Sequence, residues 1–76
     1  MNDYEKAVRT EVQLNRGRTI TWLAGEVNRE TGLRIDGSFI NKVLKGRVKS
    51  VRTVKAIEKL VGVPAPDGYA LDGISP

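Results

Sequence analysis

The residues from Ser38 to Gly46, SFINKVLKG, carry hydrogen-bonding side chains at a spacing that favours contact with nucleic acid. Ser38 can cap the start of a helix, and Gly46 can end it because glycine adopts the left-handed conformation without a Cβ penalty. At about 100° per residue, Asn41, Lys42 and Lys45 fall on one side of that helix. An amide and two cations are groups that hydrogen-bond to base edges and phosphates. The alternative is an ordinary amphipathic helix with a solvated polar face.

The charge of the chain is concentrated on and just after this segment. The 76 residues carry a formal net charge of +4. Residues 1 to 31 are neutral overall, and residues 63 to 76 carry only two acidic residues. Residues 32 to 62 carry eight basic and two acidic residues, a net charge of +6. Such a basic region attracts polyanions. A membrane surface would also attract it, but the large apolar face of an interfacial helix is missing.

The composition argues against several other classes of protein. There is no cysteine and no histidine, which removes disulfides, thiol chemistry and the usual general base and metal ligand. The carboxylates are scattered along the sequence, so we expect no enzyme, no cofactor, no metal and no small-molecule ligand. No apolar run approaches the roughly 20 residues that cross a bilayer, and the N-terminus does not resemble a signal peptide. We therefore expect one small cytoplasmic domain without membrane contact.

Apolar residues recur at helical spacing in four segments, which predicts an all-α domain. The helices are expected at residues 3–16, 19–31, 38–45 and 50–62. Their predicted N-caps are Asp3, Thr19, Ser38 and Ser50. In the first helix, Tyr4, Val8 and Val12 form the predicted apolar side, with Ala7 and Leu14 near it. Arg52 and Lys55 lie near the start of the fourth helix, where the helix dipole disfavours cations, which suggests that they meet an anion.

The last residues of the chain differ in composition from the rest. Residues 64 to 76 are rich in proline and glycine and lack a periodic apolar face, which is typical of an irregular tail. We therefore divide the chain into a domain, residues 1–63, and a tail, residues 64–76. Tyr69, Leu71 and Ile74 are apolar groups on a segment without a core of its own, and the tail is our candidate for helping two copies to pair.

The order of these elements resembles that of a known family. The second helix opens with TITWLA, Thr19 to Ala24, and it is followed by Gly32 and by Ser38-Phe39-Ile40. Gly46-Arg47 and the closing AIEKLVGV, residues 56 to 63, complete the pattern. Together, over roughly residues 5 to 63, these motifs resemble the lambda-repressor-like helix-turn-helix family, also called the Cro or XRE type. The 16 positions from Ala24 to Ile40 exceed the family's usual tight turn, an extension also seen in similar phage repressors.

The resemblance implies a compact domain of four or five helices that binds double-stranded DNA through the major groove, with residues 38 to 45 as the recognition helix. The protein would be a sequence-specific transcriptional regulator of phage or mobile-element type, acting as a homodimer. Asn41 would pair with adenine, Lys42 would reach guanine or a phosphate, and Ser38 is the third residue expected to read bases. The expected contacts to the DNA backbone are Thr19, Thr21, Arg34, Lys45, Arg47, Lys49 and Arg52. The alternative is a protein-protein module on the same fold, such as an antirepressor, an antitoxin or an accessory recombination factor.

Overall fold

The structure, a computed structural model, describes residues 1 to 69, and the regular secondary structure of this part of the chain is all helical, without a β-strand. Helix α1 spans Asp3–Arg9 and continues directly into a π-helical segment, Thr10–Asn15. Three further helices follow: α2 at Ile20–Thr31, α3 at Gly37–Leu44 and α4 at Val51–Val61. The predicted all-α class is therefore confirmed. Residues 70 to 76, which include Leu71 and Ile74, lie outside the described residues.

The first helix is the element that differs most from its prediction. Tyr4, Val8 and Val12 are buried as expected, but Ala7 is exposed and Leu14 is 78 % exposed. Leu14 lies in the π-helical segment, where the wider turn changes the directions of the side chains from those of an α-helix. The backbone N–H of Arg16 accordingly donates to the carbonyl five residues earlier, at 3.1 Å.

Two of the four helix caps are predicted correctly. The side chains of Thr19 and Ser50 accept the backbone N–H groups at the starts of α2 and α4. A hydroxyl at this position satisfies one of the amide groups that lack a partner within the helix.

The other two caps lie earlier in the sequence than predicted. Asn2, not Asp3, caps α1, and Asp36, not Ser38, caps α3. The Oδ1 atom of Asp36 accepts the N–H of Phe39 at 2.9 Å. A carboxylate at this position also interacts favourably with the positive end of the helix dipole, so it is a better cap than the hydroxyl two residues later. Ser38 is consequently a residue of the first turn of α3, with an exposed side chain.

Helix α2 lies at the centre of the domain, in contact with α3, α4 and the π-helical segment. The largest fully buried side chains come from three helices and are Leu23, Ile40, Leu44 and Ile57. Trp22 is half-buried against this core, with the guanidinium of Arg18 5.7 Å from the centre of its ring. The apolar stripes predicted for α2, α3 and α4 thus face a common core.

The connection between α2 and α3 runs back alongside α2. Asn28 of α2 binds both backbone groups of Ile35: its Nδ2 donates to the carbonyl, and its Oδ1 accepts the N–H, each at 2.9 Å. At the start of α3, a Cβ atom on Gly37 would come within 3.3 Å of the Thr21 Oγ1. Helix α3 therefore begins beside the first turn of α2. The 16 positions from Ala24 to Ile40 are accommodated by the 12-residue α2 and by the connection that runs back alongside it.

Within residues 1 to 69, no helix has the length and apolar character to span a membrane.

Leu44→Ala tests whether this core supports α3. Leu44 is fully buried, so we expect its truncation to lower the free energy of unfolding by about 2–5 kcal/mol, a large share of the total for a small domain. The matched control is Leu14→Ala, at a position that is 78 % exposed. Thermal melting should separate the two variants, and equal melting temperatures would show that α3 is not packed through this face.

Candidate nucleic-acid interface

The predicted recognition helix, α3, has one apolar and one polar side. Ile40, Val43 and Leu44 are fully buried and fix the helix to the core. On the other side, Lys42 is exposed, and within residues 1 to 69 its ammonium makes no ion pair or hydrogen bond. Asn41 is half-buried. The structure thus leaves the ammonium of Lys42 open to a ligand and places Asn41 at the border with a neighbouring helix.

A buried carboxylate joins this polar side of α3 to α1. Glu5 is only 3 % exposed, and its Oε2 accepts hydrogen bonds from Arg9 Nη2 and Lys45 Nζ, both at 2.9 Å. Arg9 Nη2 also donates to the Oδ1 of Asn41 at 2.6 Å. Two of the residues predicted to contact DNA, Asn41 and Lys45, are therefore held by α1.

The surroundings of Glu5 determine its protonation. Burial raises the pKa of its carboxyl, but hydrogen bonds from Lys45 and Arg9, together with their charges, outweigh burial and hold the pKa below the ordinary value. Glu5 is therefore an anion under ordinary conditions, and both cations remain attached to it. The spacing of Glu5 and Arg9, four residues apart on a helix, is a recognisable ion-pair signal, but the contact with α3 has no local signature.

Arg52, a second predicted phosphate contact, also has a partner within the chain. Its Nη2 donates to the carbonyl of Thr31, in the last turn of α2. Carbonyls in the last turn of a helix lack a partner within the helix and carry the negative end of its dipole. This acceptor accounts for one of the two cations near the start of α4, so Arg52 gives no support to a bound anion. Lys59 of the same helix pairs with Glu30 of α2 at 2.7 Å.

The remaining predicted backbone contacts lie on the surface. Arg34 in the α2–α3 connection and Arg47 after α3 are exposed. Thr19 and Thr21 are exposed at the start of α2, although the hydroxyl of Thr19 already accepts the N–H of Trp22. Because Gly37 lies against Thr21, the starts of α2 and α3 are neighbours on this surface.

Tyr69 closes the carboxyl end of α3, a role that the sequence did not indicate. Its hydroxyl donates to the carbonyl of Leu44 at 3.0 Å and accepts a hydrogen bond from Asn2 Nδ2 at 2.7 Å. Its ring packs edge-on against Tyr4, with centroids 4.9 Å apart, and Lys49 Nζ lies 5.3 Å from the ring centre. The first part of the predicted tail therefore packs on the domain, and the ring of Tyr69, one of the three apolar groups expected to help two copies pair, contacts its own chain.

Comparisons of this chain with protein-family models, with curated proteins and with solved structures gave no match. The candidate site is therefore described from its geometry alone. It consists of α3, which is packed on the core and presents Lys42, with exposed cations before it at Arg34 and after it at Arg47.

A pair of tyrosine variants tests the hydrogen bonds that Tyr69 makes at the carboxyl end of α3. Tyr69→Phe removes a hydroxyl with two partners, and we expect the free energy of unfolding to fall by about 1–3 kcal/mol. Tyr4→Phe removes a buried hydroxyl that has no partner among residues 1 to 69, so we expect stability that is equal or higher. Denaturant unfolding measures both variants, and a greater loss for Tyr4→Phe would contradict this assignment.

Glu5→Gln tests the buried carboxylate. Because folding lowers the pKa of Glu5, its ionised form stabilises the fold above the ordinary pKa of about 4.5, and this contribution is lost as the pH falls through the lowered value. We expect Glu5→Gln to cost about 1–3 kcal/mol at pH 7. The stability difference from the wild type should shrink as the pH drops below about 4.5. Unfolding measured from pH 7 to pH 2 gives that difference, and one that widens towards low pH would refute the assignment.

Proposed function

We propose that this chain is a sequence-specific double-stranded DNA-binding protein with a lambda-repressor-like helix-turn-helix fold, and that α3 enters the major groove. The observation that carries the proposal is the two-sided character of α3. One side is fully buried, whereas the other presents Lys42, whose ammonium has no ion pair or hydrogen bond among residues 1 to 69, within a segment of net charge +6. The major groove admits an α-helix, and lysine reaches the acceptors of guanine or a phosphate there.

The arrangement of α2 and α3 supports the same proposal. In helix-turn-helix proteins, the second helix of the motif reads bases with its N-terminal residues, and the first helix crosses the backbone. Here the start of α3 lies beside the first turn of α2 through the contact of Gly37 with Thr21. The exposed hydroxyls of Thr19, Thr21 and Ser38 therefore lie at the starts of two helices, where the positive end of the helix dipole favours phosphate oxygens.

The contacts divide into base readers and backbone contacts. We assign Asn41, Lys42 and Ser38 to the bases. Thr19, Thr21, Arg34, Arg47 and Lys49 are assigned to the backbone. Lys45 and Arg52, which the sequence suggested as backbone contacts, hold Glu5 and the carbonyl of Thr31, and we assign them to the fold.

The proposed biological role is transcriptional regulation of phage or mobile-element type in the cytoplasm, by occupation of an operator. One recognition helix reads only a few base pairs, so we propose that two copies bind half-sites about 34 Å apart.

A protein-protein module on the same fold is the second candidate. One observation favours it: Leu14, a large apolar side chain on the π-helical segment, is 78 % exposed. An isolated apolar side chain on a surface is common, so this observation carries less weight than the charge and geometry of α3.

Selection of DNA sites by the purified protein tests the proposal. We expect a preferred site whose affinity falls with salt at a slope of about −3 in log K against log salt per protomer, from the three cations assigned to the backbone. Lys42→Ala should weaken the preferred site more than random DNA. Lys6→Ala, which removes an exposed lysine from α1, is the matched control. Absence of DNA binding at low salt, or binding that does not change with salt, would refute the proposal and favour the protein-protein module.

A further inference from the structure

The contact between Arg9 and Asn41 restricts what Asn41 can offer to a ligand. Arg9 Nη2 lies 2.6 Å from the Oδ1 of Asn41. A guanidinium only donates hydrogen bonds, so the amide atom that faces it must be the oxygen. The Nδ2 amine, with its two N–H groups, is then the part of the amide that remains for recognition.

Arg9 is itself fixed by the fold. Its Nε and Nη2 atoms bind Glu5 Oε2 at 3.1 and 2.9 Å. Glu5 is buried and is held a second time by Lys45. Two donors that meet at one carboxylate oxygen restrict the orientation of the guanidinium. The geometry at Asn41 therefore depends on α1, through a residue that lies 32 positions away in the sequence.

We infer that Arg9 is a positioning residue for base recognition, because it turns the amide oxygen of Asn41 towards α1 and leaves the amine as the group that meets a base. This inference rests on the proposed function. Pairing of asparagine with adenine in the major groove uses the amide oxygen and the amine together, and the oxygen of Asn41 is directed at Arg9. An Asn41 that recognises a base through its amine selects a base edge that accepts. Guanine fits best, because both its N7 and its O6 accept there, and thymine O4 comes second. This replaces the adenine that the sequence suggested.

The experiment compares the DNA sites selected by four proteins: wild type, Asn41→Ala, Arg9→Met and Arg16→Met. Asn41→Ala identifies the base pair in question as the position whose preference it flattens. Arg16→Met is the matched control, because Arg16 also pairs with a glutamate, Glu11, at 2.9 Å but, among the described residues, makes no hydrogen bond or ion pair with α3. We expect the wild type and Arg16→Met to select guanine or thymine. Arg9→Met should shift the preference towards adenine by about fivefold or more.

Two results would overturn the inference. One is selection of adenine by the wild type at that position, and the other is an Arg9→Met profile identical to that of the wild type. Arg9→Lys serves as a second variant if Arg9→Met melts too low for selection. It keeps a cation beside Glu5 but lacks the planar guanidinium, and we expect the same shift towards adenine.

A measurement without DNA separates this inference from the proposed function. In NMR spectra of the free protein, we expect the side-chain amide of Asn41 to occupy one rotamer in the wild type and in Arg16→Met, and to average over several in Arg9→Met. A fixed rotamer of Asn41 in all three proteins would show that Arg9 does not position this side chain. If no protein selects a DNA site although the rotamer of Asn41 depends on Arg9, the proposed function fails and the positioning contact stands.

Discussion

The buried carboxylate of Glu5 is the constraint on which the polar surface of this domain depends. An anion removed from water needs cationic partners, and its partners come from its own helix and from α3. Arg9 and Lys45 are therefore fixed, and through Arg9 so is Asn41. The apolar side of α3 determines its depth in the core, whereas Glu5 determines which polar groups on its other side remain available.

The second constraint is that the last carbonyl groups of a helix lack partners within the helix. Side chains from distant parts of the chain donate hydrogen bonds to them. The carbonyl of Leu44 accepts hydrogen bonds from Asn2 and Tyr69, and that of Thr31 accepts one from Arg52. In a domain this small, helix ends come close to other elements, so polar side chains are readily used in this way. A count of basic residues consequently overstates the charge that is free to meet an external anion.

The local features of the fold could be predicted from the sequence, and the long-range ones could not. Helical spacing located the buried stripes of α2, α3 and α4, and side-chain chemistry identified the caps Thr19 and Ser50. The bond from Arg9 to Asn41 and that from Asn2 to Tyr69 join residues 32 and 67 positions apart. Nothing in the local pattern marks such pairs, because they depend on how helices meet. For the candidate site, the sequence therefore predicts which residue types could contact DNA. It does not predict which of their polar groups are already bonded within the chain.

The π-helical segment gives the first helix a property of a different kind. Each of its backbone hydrogen bonds spans one residue more than in an α-helix, so Thr10–Asn15 contains in effect an inserted residue. Deletion of one residue there would allow the segment to close as a regular α-helix while Tyr4 and Val8 kept their places in the core. The π-helical segment is thus the part of the first helix where the loss of one residue agrees best with the hydrogen bonding of the backbone. A homologue aligned to this chain would be expected to carry its first gap there.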